Sequence, residues 1–227
     1  MNHELNNVDV HIDHSDNDSA KDYFEIGNAY GAEGKYKLAK ENYKLAIKND
    51  PNFVEAYHTI AKLCADQGNY KQALKYINGA IRLKLDFADA FYLRANILYD
   101  QGDLDRAIED YSHAILFRPD EPEYFLSRAN VYLDKEDYDR AIEDYTKAID
   151  LNPNCVVAYY YYRGIAYKEK GDEGRAIADF TFIINLDENN AEAYKQRSGI
   201  YAELGNDDLA FRDCTAYAEL AVSEASI

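Results

Sequence analysis

With 227 residues the chain has room for one or two domains, and 42 Asp and Glu against 25 Lys and Arg leave a formal charge of −17. That excess repels phosphates, which argues against nucleic acid or an anionic membrane as the main partner. No apolar run approaches the roughly 20 residues needed to span a bilayer, and Met1–Ser19 has neither the basic nor the apolar stretch of a secretory signal. A cytoplasmic protein is therefore expected, with Cys64, Cys155 and Cys214 reduced: they are odd in number and lack metal-ligand spacing.

Residues 1–18 carry Glu4, Asp9, Asp13, Asp16 and Asp18 without a single Lys or Arg, and little that could pack. They read as a disordered acidic tail. His3, His11 and His14 also lie there; they are taken as incidental, and no metal site is expected.

From Ala20 onward the chain repeats itself. Ala90-Phe91-Tyr92-Leu93-Arg94-Ala95-Asn96 returns thirty-four residues later as Tyr124-Phe125-Leu126-Ser127-Arg128-Ala129-Asn130, and Asp103-Leu104-Asp105-Arg106-Ala107-Ile108-Glu109-Asp110-Tyr111 returns as Asp137 to Tyr145. A fixed period of this length marks stacked supersecondary units, none of which can bury its apolar face alone. Six repeats follow: 20–53, 54–87, 88–121, 122–155, 157–190 and 191–222. Numbering each from 1 to 34, position 15 is Gly34, Gly68, Gly102, Gly171 and Gly205, with Glu136 the exception. Glycine there ends a first helix, A, in a left-handed conformation. Pro51, Pro119 and Pro153 at position 32 stop a second helix, B.

Helical spacing puts positions 4, 7, 8 and 11 of helix A on one side and 2, 5, 9, 12 and 13 on the other. The first set alternates large residues with a small one, as close packing demands. Helix B keeps alanine at position 20 in every repeat, from Ala39 to Ala210. Repeats three to six also carry Arg94, Arg128, Arg163 and Arg197 at position 7 and Asp110, Asp144, Asp179 and Asp213 at position 23, whereas Ile26 and Ile60 stand opposite Asn42 and Tyr76. This all-or-none pairing predicts a salt bridge clipping helix A to helix B within a repeat. Repeat five holds one residue too many near Tyr159–Tyr162, which means either a longer turn or a π-bulge.

No catalytic set emerges. Cys64 and Cys214 replace packing aromatics, His113 sits on the outer helix where solvation is expected, and glycine-rich phosphate loops and metalloprotease motifs are absent. No enzyme activity and no cofactor are expected.

These recurring positions resemble the tetratricopeptide repeat family: an aromatic at 4, small residues at 8, 20 and 27, aromatics at 11 and 24, and Pro at 32. The resemblance covers about nine-tenths of the chain. It implies an all-α fold, a right-handed superhelical solenoid of antiparallel helix pairs over 19–227, whose A helices line a concave groove. Positions 5, 9, 12 and 13 would look into it. Position 5 is Phe24, His58, Tyr92, Leu126 and Tyr161, mostly apolar or aromatic; position 9 is Asn28, Lys62, Asn96, Asn130 and Ile165, where an amide could hold peptide backbone. Position 12 adds Tyr99 and Leu133, and position 13 is the acidic run Asp66, Asp100, Asp134 and Glu169. Those acids sit where the helix dipole disfavours negative charge, which is either selection for basic ligand groups or the ordinary acidity of this surface. The basic clamp by which some relatives hold carboxylate tails is missing, since Phe24, Lys62 and Asp89 occupy its places.

The expected role is thus a non-catalytic scaffold that binds a segment of another protein with apolar and basic residues. A rival is self-association: Phe211, Cys214, Tyr217, Ala218 and Leu220 leave an apolar last helix without a polar cap, so a homodimer through residues 207–222 is the alternative.

Overall fold

The computed structural model describes residues 19–153 and 156–224. The acidic tail with its three histidines, and Cys155, lie outside the described residues. What is described is helix and connecting turn with no strand, an all-α helical-repeat solenoid. The A helices are α1 (Ala20–Ala32), α3 (Val54–Asp66), α5 (Ala88–Asp100), α7 (Pro122–Asp134), α9 (Val156–Lys170) and α11 (Ala191–Glu203). The B helices are α2 (Tyr36–Asn49), α4 (Tyr70–Leu83), α6 (Leu104–Phe117), α8 (Tyr138–Leu151), α10 (Glu173–Leu186) and α12 (Asp207–Glu224).

Local chemistry explains each boundary. Ser19 opens α1 with a reciprocal cap: its Oγ accepts from the Asp22 N–H at 3.2 Å while Asp22 accepts from the Ser19 N–H at 2.8 Å. Asp103, Asp137 and Asp172 cap α6, α8 and α10 by accepting from the N–H three residues on. Each of these caps also takes the guanidinium of Arg106, Arg140 or Arg175. The A helices end in a left-handed residue, with Gly102 at φ 77° and, in the same role, Glu136 at φ 60°. A side chain at that φ crowds its own backbone, so Glu136 is a strained substitute for glycine.

The extra residue of repeat five is accounted for before the repeat's own register begins. Helix α9 has 15 residues where the other A helices have 13, starts one position early at Val156, and runs as ordinary α-helix throughout. From Arg163 on, the spacing to Asp179 matches that of the other repeats.

The helices form two compact units, one up to Leu85 and one from Asp86 onward. In the first, α1 packs on α2, α2 on α3 and α3 on α4. In the second, α5 to α12 pack as successive antiparallel neighbours. The core of that second unit is built from the small and aromatic positions read from the repeat. Ala95, Ala107 and Tyr111 cluster with Val131; Ala129, Ala141 and Tyr145 cluster with Ala166; Ala176 and Phe180 cluster with Ala193 and Ile200. Every cluster includes residues of the following A helix, so burial is completed only by stacking.

A candidate protein-binding face and the ion pairs behind it

The Arg–Asp ladder is confined to the unit that begins at Asp86. Arg94, Arg128, Arg163 and Arg197 each hold both carboxylate oxygens of the aspartate on their own helix B, with donor–acceptor distances between 2.6 and 2.9 Å. The aspartates are buried, Asp213 to 1 % exposure. Burial pushes the Asp144 carboxyl above the usual carboxylate range even against the hydrogen bonds and charge of Arg128. In the other unit the equivalent space holds the fully buried Ile60 opposite Tyr76, and Asn42, whose Nδ2 donates to the Leu38 carbonyl.

The third nitrogen of these arginines does something the repeat pattern alone had not suggested. Arg128 donates to Ser112 Oγ at 2.9 Å, Arg163 to Thr146 Oγ1 at 3.1 Å, and Arg197 to Thr181 Oγ1 at 2.9 Å. Each hydroxyl belongs to the preceding repeat, at position 25 of its helix B. Ser112 and Thr146 in turn donate to the carbonyl four residues back, Ile108 and Ile142, which aims an oxygen lone pair at the guanidinium. Rings at positions 4 and 11 sandwich the cation, as Phe125 and Tyr132 do for Arg128 and Tyr160 and Tyr167 for Arg163. One arginine therefore ties together two helices of its own repeat and one of its neighbour. The serine-or-threonine run at position 25 was the available signal.

On the other side of the A helices, the expected ligand-facing residues are partly engaged already. Tyr92 is half-buried, its ring 4.8 Å from that of Tyr124 and its hydroxyl 3.2 Å from Ser127 Oγ. Leu126 packs into two core clusters, and Tyr161 lies edge-on to Phe180 while its hydroxyl donates to Glu192 at 3.3 Å. Position 9 also has a structural use. Asn96 Oδ1 accepts from the Tyr111 hydroxyl at 2.5 Å and Asn130 Oδ1 from Tyr145 at 2.7 Å. The carbonyl end of these amides is thus spent on the helix pair, which leaves chiefly their N–H groups for a ligand, not both ends as expected. Ile165 and Leu133 are half-buried.

Position 13 stays exposed in Asp100, Asp134 and Glu169. Asp134 accepts from the Tyr99 hydroxyl at 2.6 Å, linking consecutive A helices; burial, together with that carboxylate, pushes the Tyr99 phenol up to about 12. Asp89, assigned by spacing to the same face, is held by Arg118 at 2.7 and 2.9 Å and by the Tyr124 hydroxyl at 2.6 Å. In the unit up to Leu85, Phe24 packs between Tyr43 and Phe53 with its ring tilted against both, and Asn28 accepts from the Tyr43 hydroxyl at 2.9 Å. These two line an open cleft of about 610 Å³ with Phe53, Asp50, Glu55 and the Lys21–Glu25 pair, whose charges lie 3.8 Å apart. Lys62 and Asp66 are exposed and His58 is half-buried.

Two expectations need correcting. His113 is only partly solvated: its ring sits 5.0 Å from Phe91, and Nδ1 is buried without a hydrogen-bond partner. Cys214 does not pack in place of an aromatic. It is exposed, unlike the buried Cys64, because no element among the described residues covers that side of α12. Among the described residues, no group of three or more His, Cys, Asp or Glu could hold a metal ion, and no helix is long and apolar enough to cross a membrane.

Three tetratricopeptide repeat models match the chain, over residues 32–97, 95–135 and 122–155, together spanning more than half of it without a break. The chain belongs to the tetratricopeptide repeat family. Its solved relatives share the fold: MamA (26 % identity, 76 % of this chain and 94 % of that one, TM-score 0.69) and YrrB, described as a repeat protein with an unusual peptide-binding site (19 %, 82 % and 98 %, 0.70). A tetratricopeptide repeat protein from Parabacteroides merdae is similar over 86 % of this chain and 77 % of its own (20 % identity, TM-score 0.73). Comparison with curated proteins returned no significant match. The tetratricopeptide fold is that of a protein–protein interaction scaffold.

Proposed function

We propose that the A-helix face of the unit from Asp86 onward binds a segment of another protein, apolar in part and carrying Lys or Arg, without catalysis. One observation carries this reading: the exposed column Asp100, Asp134 and Glu169 runs beside the half-buried Tyr92, Leu126, Tyr161 and Ile165. A basic group settling on the column would be drawn by its negative charge, while its apolar neighbours would cover ring and aliphatic surface. The Asn96 and Asn130 amide protons are suited to main-chain carbonyls of an extended ligand. YrrB's peptide-binding site supports this use of the fold. The Phe24–Asn28 cleft is a separate subsite of the same character.

The test is an array of synthetic peptides, aromatic–basic against aromatic–acidic, probed with the full chain and its Asp100→Ala/Asp134→Ala variant at two salt concentrations. Preference for basic peptides, weakened by salt and by the double substitution, supports the reading. Salt-independent binding that survives the substitution overturns the acidic-column assignment. The homodimer alternative through residues 207–222 has the exposed Phe211 and Cys214 in its favour; a monomer in sedimentation runs at every concentration would remove it.

A further inference from the structure

We infer that the outer face of α12 is a docking site for a partner's amphipathic helix bearing an arginine flanked by aromatic residues three before and four after it. The chain builds one interface three times, at α6–α7, α8–α9 and α10–α11. In each, helix B presents an aliphatic residue at position 21, an aromatic at 24, a hydroxyl at 25 and an isoleucine at 28. The next helix A lays its arginine on the hydroxyl and its apolar residues on the rest.

Helix α12 presents the fourth such face: Phe211 at position 21, Cys214 at 24, Thr215 at 25 and Ala218 at 28. All four are exposed, Phe211 to 76 %, whereas Tyr145 and Phe180 at position 24 are fully buried between helix A of their own repeat and that of the next. The hydroxyl is already set for its role. Thr215 Oγ1 donates to the Phe211 carbonyl at 2.9 Å, as Ser112 and Thr146 donate to Ile108 and Ile142. Its proton is used in the helix, so its lone pairs point outward to receive a donor. Smaller side chains at 24 and 28 than in the inner interfaces leave a shallow groove between Phe211 and Glu219. Into this an A-type helix can settle with bulkier aromatics than those inside. Glu219 beside it adds attraction for the cation. A second copy of the chain fits this face less well, since the third nitrogens of Arg128, Arg163 and Arg197 are already taken by Ser112, Thr146 and Thr181, and Arg94 has Leu98 where the aromatic four residues on would stand.

The probe is a peptide of residues 121–135, which carries Phe125, Arg128 and Tyr132, titrated into the isotopically labelled full chain and followed by amide chemical shifts. Shifts centred on residues 211–219 are expected. Replacing Arg128 in the peptide by Leu should weaken binding about tenfold, the worth of a hydrogen bond to a charged group. On the Thr215→Val chain the two peptides should bind nearly alike, and Ala218→Glu, a substitution on solvent, should abolish both. Shifts elsewhere, or equal affinity of the Arg and Leu peptides for the unaltered chain, overturn the proposal. Concentration-dependent shifts of residues 211–219 without peptide would make a second copy the occupant and overturn it as well.

Discussion

Replacing Arg128 by Leu tests whether the buried pairs act as clips. Arg128 is 18 % exposed at its side chain and Asp144 7 %, with bonds of 2.7 and 2.8 Å between them and one of 2.9 Å to Ser112. Removing the cation leaves a buried carboxylate that burial already pushes above its usual range. Orphaning one member of a buried pair costs about 3–5 kcal/mol, and the lost serine bond adds about 1 kcal/mol. Replacing both members, as Arg128→Ile with Asp144→Tyr, copies the Ile60–Tyr76 arrangement that repeat two uses; the loss should then fall below about 2 kcal/mol, since apolar replacement of a buried pair is often near neutral.

Urea unfolding followed by far-ultraviolet circular dichroism, with amide hydrogen exchange to locate the loosened helices, gives both values. The single variant carries a second signature in pH. Its Asp144 has a folded-state pKa raised above the unfolded value, so the folded state binds the extra proton. The variant should therefore regain stability relative to the parent as pH falls through that raised value toward the ordinary carboxylate range. A loss under 1 kcal/mol for Arg128→Leu, a double variant worse than the single one, or the absence of that recovery would refute the clip.

Glu136→Gly should stabilise the chain by roughly 0.5–1 kcal/mol, because glycine relieves the side-chain strain at φ 60° but loses part of the gain to a freer unfolded chain; thermal unfolding measures it, and a destabilised variant contradicts the strain. The caps Asp103, Asp137 and Asp172 are held below the usual carboxylate range chiefly by the arginine three residues on. Their contribution is present above the unfolded-state pKa and is lost as pH falls through the lowered folded-state values. The Asp103→Asn/Asp137→Asn/Asp172→Asn chain should therefore show a shallower loss of stability on acidification, and an unchanged acid profile would count against it.

The helices and their order were written in the sequence, because glycine at position 15, proline at 32 and the small-residue positions act through backbone geometry within a few residues. The Arg–Asp pairing was legible for a related reason: a repeated omission of both partners in two repeats shows the coupling without coordinates. Three features needed the tertiary structure. Ser112, Thr146 and Thr181 look like ordinary solvated residues until a neighbouring repeat brings an arginine to them. Asn96 and Asn130 seemed free to hold a ligand until Tyr111 and Tyr145, fifteen residues along, took their carbonyls. The exposure of Cys214 depends on what stacks against α12, and a one-dimensional pattern gives every helix B the same face. Local conformation is set by residues close in the chain, whereas the occupancy of a polar atom is set by partners that only stacking brings near.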